Sequence, residues 1–471
     1  MSAFPAALTV RAGTVTGAPT ASAVPGSAVP APAPAVPAPA ADGAVPDAPL
    51  PVLGDDVLVP VSGGGRVPYA ALDYAASAPV LRRVWDDVAA YAPYYGSVHR
   101  GAGHLSRLST DLFEDSRRTV ARFLGCRPDD QVVFTRSTTD SLNLLAAALP
   151  PGTRVFVFAS EHHAALLPWR GHGTTWLDVP RGPRQAVAAL EEALRRAPGG
   201  PKLVCVTGAS NVTGELWPVA ELAAVAHRHG ARIVLDAAQL APHRPVDAAA
   251  WDVDWVAFSG HKLYAPFGAG VLAGRADWLR DAPPYLAGGG ASRSVVRGAD
   301  GGVTARWHTT AARHEAGSPN VIGAYAVASA CRALTEAGFG SLVAREQRLL
   351  DRLLAGLGAL PGVAVLSLFG PGAPRVGVVS FTVAGLPAAE VAAALSADHG
   401  IGVRDGLFCA HPLLRALVGA GDAEPGECGA GDAPGGRPLG AVRVSFGAGT
   451  PAGHVERFLA ALGGLVRRAA G

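Results

Sequence analysis

Of the 40 lysine and arginine residues in this chain only two, Lys202 and Lys262, are lysines. Arginine holds nearly every cationic position, so a retained lysine points to a task that arginine cannot do. A guanidinium stays protonated, whereas a desolvated lysine can lose its proton and attack a carbonyl as a free amine. Lys202 opens a strand after Gly199, Gly200 and Pro201 and reads as a surface residue. Lys262 follows the apolar run Trp255–Ser259 by way of Gly260 and His261, and is the candidate nucleophile.

Three further strand ends carry polar residues of complementary type. Ser137, Thr138 and Thr139 precede a helical stretch, where their hydroxyls and free backbone N–H groups form either an anion site or an ordinary N-cap. Asp236 ends the run Ile233–Leu235, with Gln239 three residues on. Alone, such a carboxylate is equally a metal ligand, a base or a helix cap. His162 and His163 end a third run after Ser160, but they lack HxxxH spacing and no cysteine converges on them, so no metal site is assigned. Together the groups suit one ligand: a phosphate at the helix N-terminus, an aldehyde condensed with Lys262, and a ring nitrogen kept protonated by Asp236. That ligand is pyridoxal phosphate, which requires a Schiff-base lysine and an acidic partner for its pyridinium nitrogen. The protonated ring accepts the electron pair left when a bond to an amino-acid Cα breaks, and a carboxylate beside the nitrogen raises its pKa. His162 suits a stacking position on the ring face, and Gln239 a hydrogen bond to the ring hydroxyl.

The elements that must position these groups alternate. Short apolar runs at Gln131–Thr135, Arg154–Phe158, Leu203–Thr207, Arg232–Asp236 and Trp255–Ser259 read as strands. Helical stretches at Leu142–Leu149, Ala186–Arg196 and Val219–His229 lie between them. Strands this apolar, separated by helices, imply a doubly wound, mostly parallel sheet covered on both faces, with ligands at the carboxyl ends of its strands. From about residue 336 the pattern changes to a smaller α+β domain: helix Leu342–Leu357, strand Val376–Val383, helix Ala388–Ala397, strand Ile401–Arg404, a Gly/Asp-rich loop at Gly419–Gly440, strand Ala441–Phe446 and helix His454–Arg468. The loop is expected to be mobile. The expected organisation is therefore an Ala/Pro-rich tail at 1–48, a large cofactor-binding domain at 49–335 with 49–70 as an N-terminal arm, and a small domain at 336–471.

Taken in order, the motifs Leu72–Ala78, Val98–Gly101, Thr138–Thr139, Glu161–Ala164, Ser210–Gly214, Asp236–Gln239, Ser259–Lys262 and Glu315–Asn320 resemble the class V aminotransferase superfamily. Within it they most resemble the SUF-type cysteine desulfurase and selenocysteine lyase branch. The resemblance implies a fold-type-I homodimer with its active site at the subunit interface. It makes Lys262 the Schiff-base lysine, Asp236 the pyridinium partner and His162 the stacking ring. It sets Gln239 and Asn211 at the ring hydroxyl and gives the phosphate to Thr138, Thr139, Ser259 and His261, with Ser318 reaching over from the partner subunit. It implies substrate contacts from His99, Arg404 and Arg443, the arginines as carboxylate clamps. Cys409, in Val403–Ala410, corresponds to the thiol that takes sulfur from cysteine as a persulfide and releases alanine. Leu407 and Phe408 stand where SUF-type enzymes usually carry histidines, and apolar neighbours raise a thiol pKa, so slow transfer is expected. If Cys409 is instead a small hydrophobe in the domain core, the resemblance implies an aminotransferase, epimerase or β-lyase acting on another amino acid.

Composition bounds the partners. At 471 residues two domains are the default, and 49% apolar content supports well-buried cores. A net charge of +2 gives no case for nucleic acid or an acidic membrane. No run approaches eighteen apolar residues, and the N-terminus lacks a secretory pattern. Cys126, Cys205, Cys331, Cys409 and Cys428 show neither CxxC spacing nor a disulfide framework, which fits a reducing cytoplasm. A small-molecule amino acid is the expected substrate, with a sulfur-acceptor protein as an expected partner. The tail, dense in alanine and proline, is expected to be disordered and to contribute to neither activity nor assembly.

Overall fold

The computed structural model describes residues 48–419, 432–433 and 437–470. The Ala/Pro-rich tail therefore lies almost wholly outside the described residues, as does most of the loop expected at 419–440. The described residues fall within one compact unit.

All five expected strands form, and they belong to one sheet of seven. Across it the order is Gln131–Thr135, Gly270–Gly274, Trp255–Ser259, Arg232–Asp236, Lys202–Thr207, Arg154–Phe158 and Gly173–Leu177. Gly270–Gly274 runs antiparallel to both its neighbours, and the other pairings are parallel. The alternation of side chains loads two cores from a single sheet. Phe156, Val204, Val206, Ile233, Leu235, Val256 and Phe258 face one core. Val155, Val157, Leu203, Cys205, Val234, Trp255 and Ala257 face the other. Period-two burial on both faces explains why these strands read as unbroken apolar runs.

Two sheet strands were not legible in the sequence. Gly270–Gly274 is bounded by glycines, which have low strand propensity, and Gly173–Leu177 is an edge strand with mixed burial. A further antiparallel pair, Ser292–Arg297 with Val303–Trp307, also lacks a clear period-two pattern and is largely exposed.

The C-terminal residues build a second, antiparallel sheet in the order Val363–Val365, Val378–Val383, Ala441–Ser445 and Arg404–Gly406. Helices Phe339–Gly358, Ala388–His399 and Ala452–Ala470 supply Leu353, Leu395 and Phe458 to its core. The segment expected as one strand at Ile401–Arg404 divides. Ile401–Gly402 pairs in parallel with Ala70–Ala71, while Arg404–Gly406 joins the sheet. The end of the N-terminal arm thus belongs to the second core, where Ala70 and Leu72 are fully buried.

One close approach positions the site. A Cβ built on Gly270 would stand 2.6 Å from the backbone of Ser137, the N-cap of helix Thr138–Ala148. Only glycine lets this strand hold the helix N-terminus at the end of the sheet. Gly270→Ala should force that backbone apart and cost about 1–3 kcal/mol, in the range of overpacking substitutions. A fall in the urea midpoint with an unchanged slope is the expected reading.

Candidate active site

The carboxyl ends of the parallel strands converge on a cleft of about 240 Å3, lined by Thr138, Thr139, His162, Asn211, Asp236, Gln239, Ser259, His261, Lys262, Arg404, Cys409 and Arg443 among others. These twelve were each singled out from the sequence. Lys202, the second lysine, lies elsewhere and donates to His229 O at 3.2 Å, a structural contact.

Asp236 is buried and its Oδ1 accepts from Ala238 N–H at 2.9 Å. Burial pushes its pKa up, and Lys262 draws it back down. Lys262 shows the mirror image: burial lowers its pKa and Asp236 opposes that. A lysine held below its ordinary value presents more free amine, the form that attacks a carbonyl. Behind Asp236 lies a second carboxyl, Glu161, fully buried and pushed well above the usual carboxylate range by desolvation. Its Oε1 accepts from Thr207 N–H at 3.1 Å, and Oε2 meets no partner among the described residues. Burial thus pushes both carboxyls up, and Lys262 opposes the shift at Asp236.

The opposite end has the character of an anion site. Ser259 Oγ accepts from Thr138 N–H at 2.7 Å and lies 2.8 Å from Thr138 Oγ1. Ser137 caps the helix by accepting from Asp140 N–H at 3.2 Å, while Thr139 is exposed on the first turn. His261 completes this end, its pKa lowered by burial and by Lys262. A helix N-terminus with hydroxyls suits a phosphate, and here the Thr138 and Asp140 N–H groups are engaged by the Ser259 and Ser137 hydroxyls.

Between the ends, His162 Nδ1 accepts from Ala164 N–H at 3.0 Å, which makes Nε2 the protonated nitrogen of the neutral ring. Burial, then Lys262, pulls its pKa down to about 3. Gln239 Nε2 donates to Ala75 O at 2.8 Å. The donor set fits pyridoxal phosphate: amine, carboxyl, flat neutral ring and anion site all face one cleft.

Cys409 stands at the mouth of the cleft and is exposed, so it is no core hydrophobe. Phe408 and Cys409 are both left-handed, each with φ of 53°. Such residues cost about 1–3 kcal/mol each and need support from their surroundings. Two hydrogen bonds supply it: Asn211 Nδ2 donates to Phe408 O and His163 N–H to Cys409 O, both at 2.8 Å. Leu407 and Phe408, the apolar neighbours from which slow transfer is expected, directly precede this thiol, and Phe408 lines the same cleft. Both side chains are buried, and Phe408 lies against the Arg443 guanidinium. The double left-handed turn directs them inward while leaving Cys409 in solvent.

Arg443 is buried in its strand and Arg404 is exposed directly opposite it in register. Sequence reasoning missed the partner of Arg443, which is Asp73 at 2.9 Å. The Leu72–Ala78 motif was visible, but nothing local aims Asp73 at a residue 370 positions away. Two expected site residues do not reach this cleft within one chain. Ser318 is exposed beside a wider groove of about 1060 Å3 whose lining includes Gly317 and Pro319. His99 lines the same groove, left-handed and paired with Glu114 at 3.1 Å.

The sequence profile described as Aminotransferase class-V matches residues 70–458. The chain belongs to that family. This class-V enzyme is similar to the cysteine desulfurase of Escherichia coli O127:H6 (strain E2348/69), with 34% identity over 377 residues covering 78% of this chain and 89% of that one. Among solved structures it resembles the apo cysteine desulfurase of Thermococcus onnurineus NA1, at 32% identity and TM-score 0.73, over 85% of this chain and 95% of the other. It also resembles the Escherichia coli cysteine desulfurase CsdA in an S-sulfonic acid form, at 29% identity and TM-score 0.69, over 85% and 94%. The fold is that of the fold-type-I enzymes, as the sequence motifs implied.

The His162 environment carries a pH signature. The folded ring titrates near 3 and the unfolded one near 6.5. Between those values the unfolded chain binds more protons, so stability rises with pH across that window and falls on acidification. His162→Gln in the cofactor-free class-V enzyme should make the melting temperature less steep between pH 6.5 and 3. An unchanged slope would show that His162 is not held neutral.

Proposed function

We propose that this class-V enzyme is a pyridoxal-phosphate-dependent cysteine desulfurase that moves sulfur from L-cysteine to Cys409 and releases alanine. The observation that carries the reading is the placement of Cys409. It is exposed at the mouth of the cleft that holds Lys262 and Asp236, and its carbonyl is fixed by His163. The curated and solved relatives are cysteine desulfurases, which supports the same assignment.

Bound in the cleft, pyridoxal phosphate supplies an aldehyde for the amino group and a ring that accepts electrons from bonds to the substrate carbon. The residues of the chain do the rest. Lys262, its proton loosened by burial, would hold the cofactor aldehyde and could serve as the local base. Asp236 would lie against the ring nitrogen, and Thr138, Thr139, Ser259 and His261 would hold the phosphate. His162 would present a neutral ring face with its proton at Nε2, while Gln239 and Asn211 would lie beside the ring hydroxyl. Arg443 and Arg404 take the α-carboxylate. Cys409 as thiolate would attack the substrate sulfur: a sulfur–sulfur bond forms, the carbon–sulfur bond breaks, and its electron pair, with a proton returned by Lys262, becomes a C–H bond of alanine. The sulfur remains as a persulfide, for hand-over to an acceptor protein from an exposed site. A reducing compartment, the cytoplasm, keeps such a thiol usable.

Two copies are proposed to associate through the groove beside His99 and Ser318, so that Ser318 completes the phosphate site of the partner and His99 its substrate site. The exposure of Ser318 away from the cleft of its own chain supports this arrangement.

Purified protein with pyridoxal phosphate should show a visible absorption band that borohydride abolishes, fixing the label on the Lys262 peptide and not on that of Lys202. Asp236→Ala should lower turnover by on the order of 10²–10³, as for loss of one preorganised electrostatic partner. Cys409→Ser should abolish sulfide release while leaving the absorption band intact, since a hydroxyl is a far weaker nucleophile at neutral pH. Full sulfide release from Cys409→Ser would replace the desulfurase reading with a class-V activity on another amino acid.

A further inference from the structure

Arg443 sits mid-strand with 4% of its surface exposed, and its guanidinium is already engaged. Nη2 donates to Asp73 Oδ1 at 2.9 Å and Nη1 to Asn211 O at 3.0 Å. Phe408 covers its face, with 5.0 Å from Cζ to the ring centroid. The buried Nε–H meets no partner among the described residues. A guanidinium offers Nε and Nη2 as a two-donor edge that a carboxylate takes side-on. Here one donor of that edge is unpartnered, and the other is held by a carboxylate of the protein itself.

Asp73 is anchored at its backbone, whereas its side chain is held, among the described residues, by the contact with Arg443. Its backbone bridges to Ser445, two residues beyond Arg443; Tyr74 N–H donates to Ser445 O at 3.3 Å and Ala75 N–H to Ser445 Oγ at 2.9 Å. The Asp73 side chain, by contrast, is 27% exposed, against 4% for its partner. The carboxylate can therefore be hydrated on release, whereas an unpaired Arg443 could not be. Leaving a buried guanidinium without a counter-charge is strongly unfavourable.

We propose that Asp73 is a resident stand-in for the α-carboxylate of the substrate, neutralising Arg443 in the empty cleft and yielding Nη2 when an amino acid binds at the Nε–Nη2 edge. The inference rests on the reading of this cleft as an amino-acid site. The exchange gives the buried cation a carboxylate partner both before and after the amino acid binds. Asp73 is thus a positioning residue, acting on substrate through Arg443. It also sets specificity: an amine without a carboxylate cannot displace it, because Arg443 would be left unpaired. As a competitor for a donor the substrate needs, Asp73 raises the apparent Kd by the inverse of the fraction of Arg443 left open.

The test uses the full-length holoenzyme and L-alanine, which has an α-carboxylate and no thiol. Binding is read from the change in visible absorption and, independently, from the rise in melting temperature. Asp73→Asn keeps the shape of the side chain and removes its charge. Its Kd for L-alanine should fall by roughly tenfold, the effect of removing a competitor that leaves about a tenth of the population open. Asp73→Glu, which restores the charge, should return the affinity towards wild type. An unchanged or weaker affinity in Asp73→Asn overturns the proposal, since Asp73 would then be a fixed orienting partner. Should Asp73→Asn fail to fold, Asp73→Ser is measured with the same two readings. Sulfide release from cysteine is scored on the same samples. Tighter L-alanine binding without sulfide release would keep the exchange and sink the desulfurase reading, and sulfide release with unchanged affinity would do the reverse.

Discussion

A lysine and a carboxylate placed together at the ends of adjacent parallel strands set the terms for the rest of this structure. Asp236 closes one strand, and Lys262 follows three residues after the close of the next. Burial drives each towards its neutral form, and each partner draws the other back. Neither state is comfortable alone in a low-dielectric interior, because an unpaired buried charge is costly and a neutral pair would be less useful. The sheet stabilises the compromise by covering both of its faces with apolar side chains and leaving only the strand ends polar.

The same logic extends outward. Glu161 lies behind Asp236, and burial pushes its carboxyl well above the usual carboxylate range. His162, beside Lys262, is held neutral by burial and by that cation. Within the cleft Asp236 and Lys262 partner each other electrostatically, while Arg404 is exposed. Arg443 is the extreme case, a buried cation whose counter-charge comes from the start of the chain. Its companion Asn211 donates to Phe408 O while its own carbonyl accepts from Arg443, so one short loop ties the arginine to the Cys409 turn.

That turn shows how a reactive group is kept in solvent next to a dry interior. Two consecutive left-handed residues reverse the chain, send Leu407 and Phe408 inward and leave Cys409 outside. The strain is stored where pocket residues can oppose it, through the hydrogen bonds from Asn211 and His163. The apolar neighbours that the sequence placed next to the thiol are spent on packing, Phe408 against Arg443 and both within the main core.

What the sequence determined by itself was local. Alternating apolar runs and helical stretches specified the five central strands, since burial on both faces leaves an unbroken apolar signature. Residue type at strand ends singled out Lys262, Asp236 and the hydroxyls of Ser137, Thr138 and Thr139, because few side chains can attach an aldehyde, face a pyridinium nitrogen or receive an anion. The glycine-bounded strand Gly270–Gly274 escaped, since its burial comes from its place between neighbours and not from its own propensities. The pairing of Asp73 with Arg443, the opposition of Arg404 to Arg443 and the inward turn of Phe408 were decided only by tertiary structure. They depend on strand register and on chain reversals between residues far apart in sequence. Such contacts leave no period in the residues between, and only packing selects one among the many pairings that composition allows.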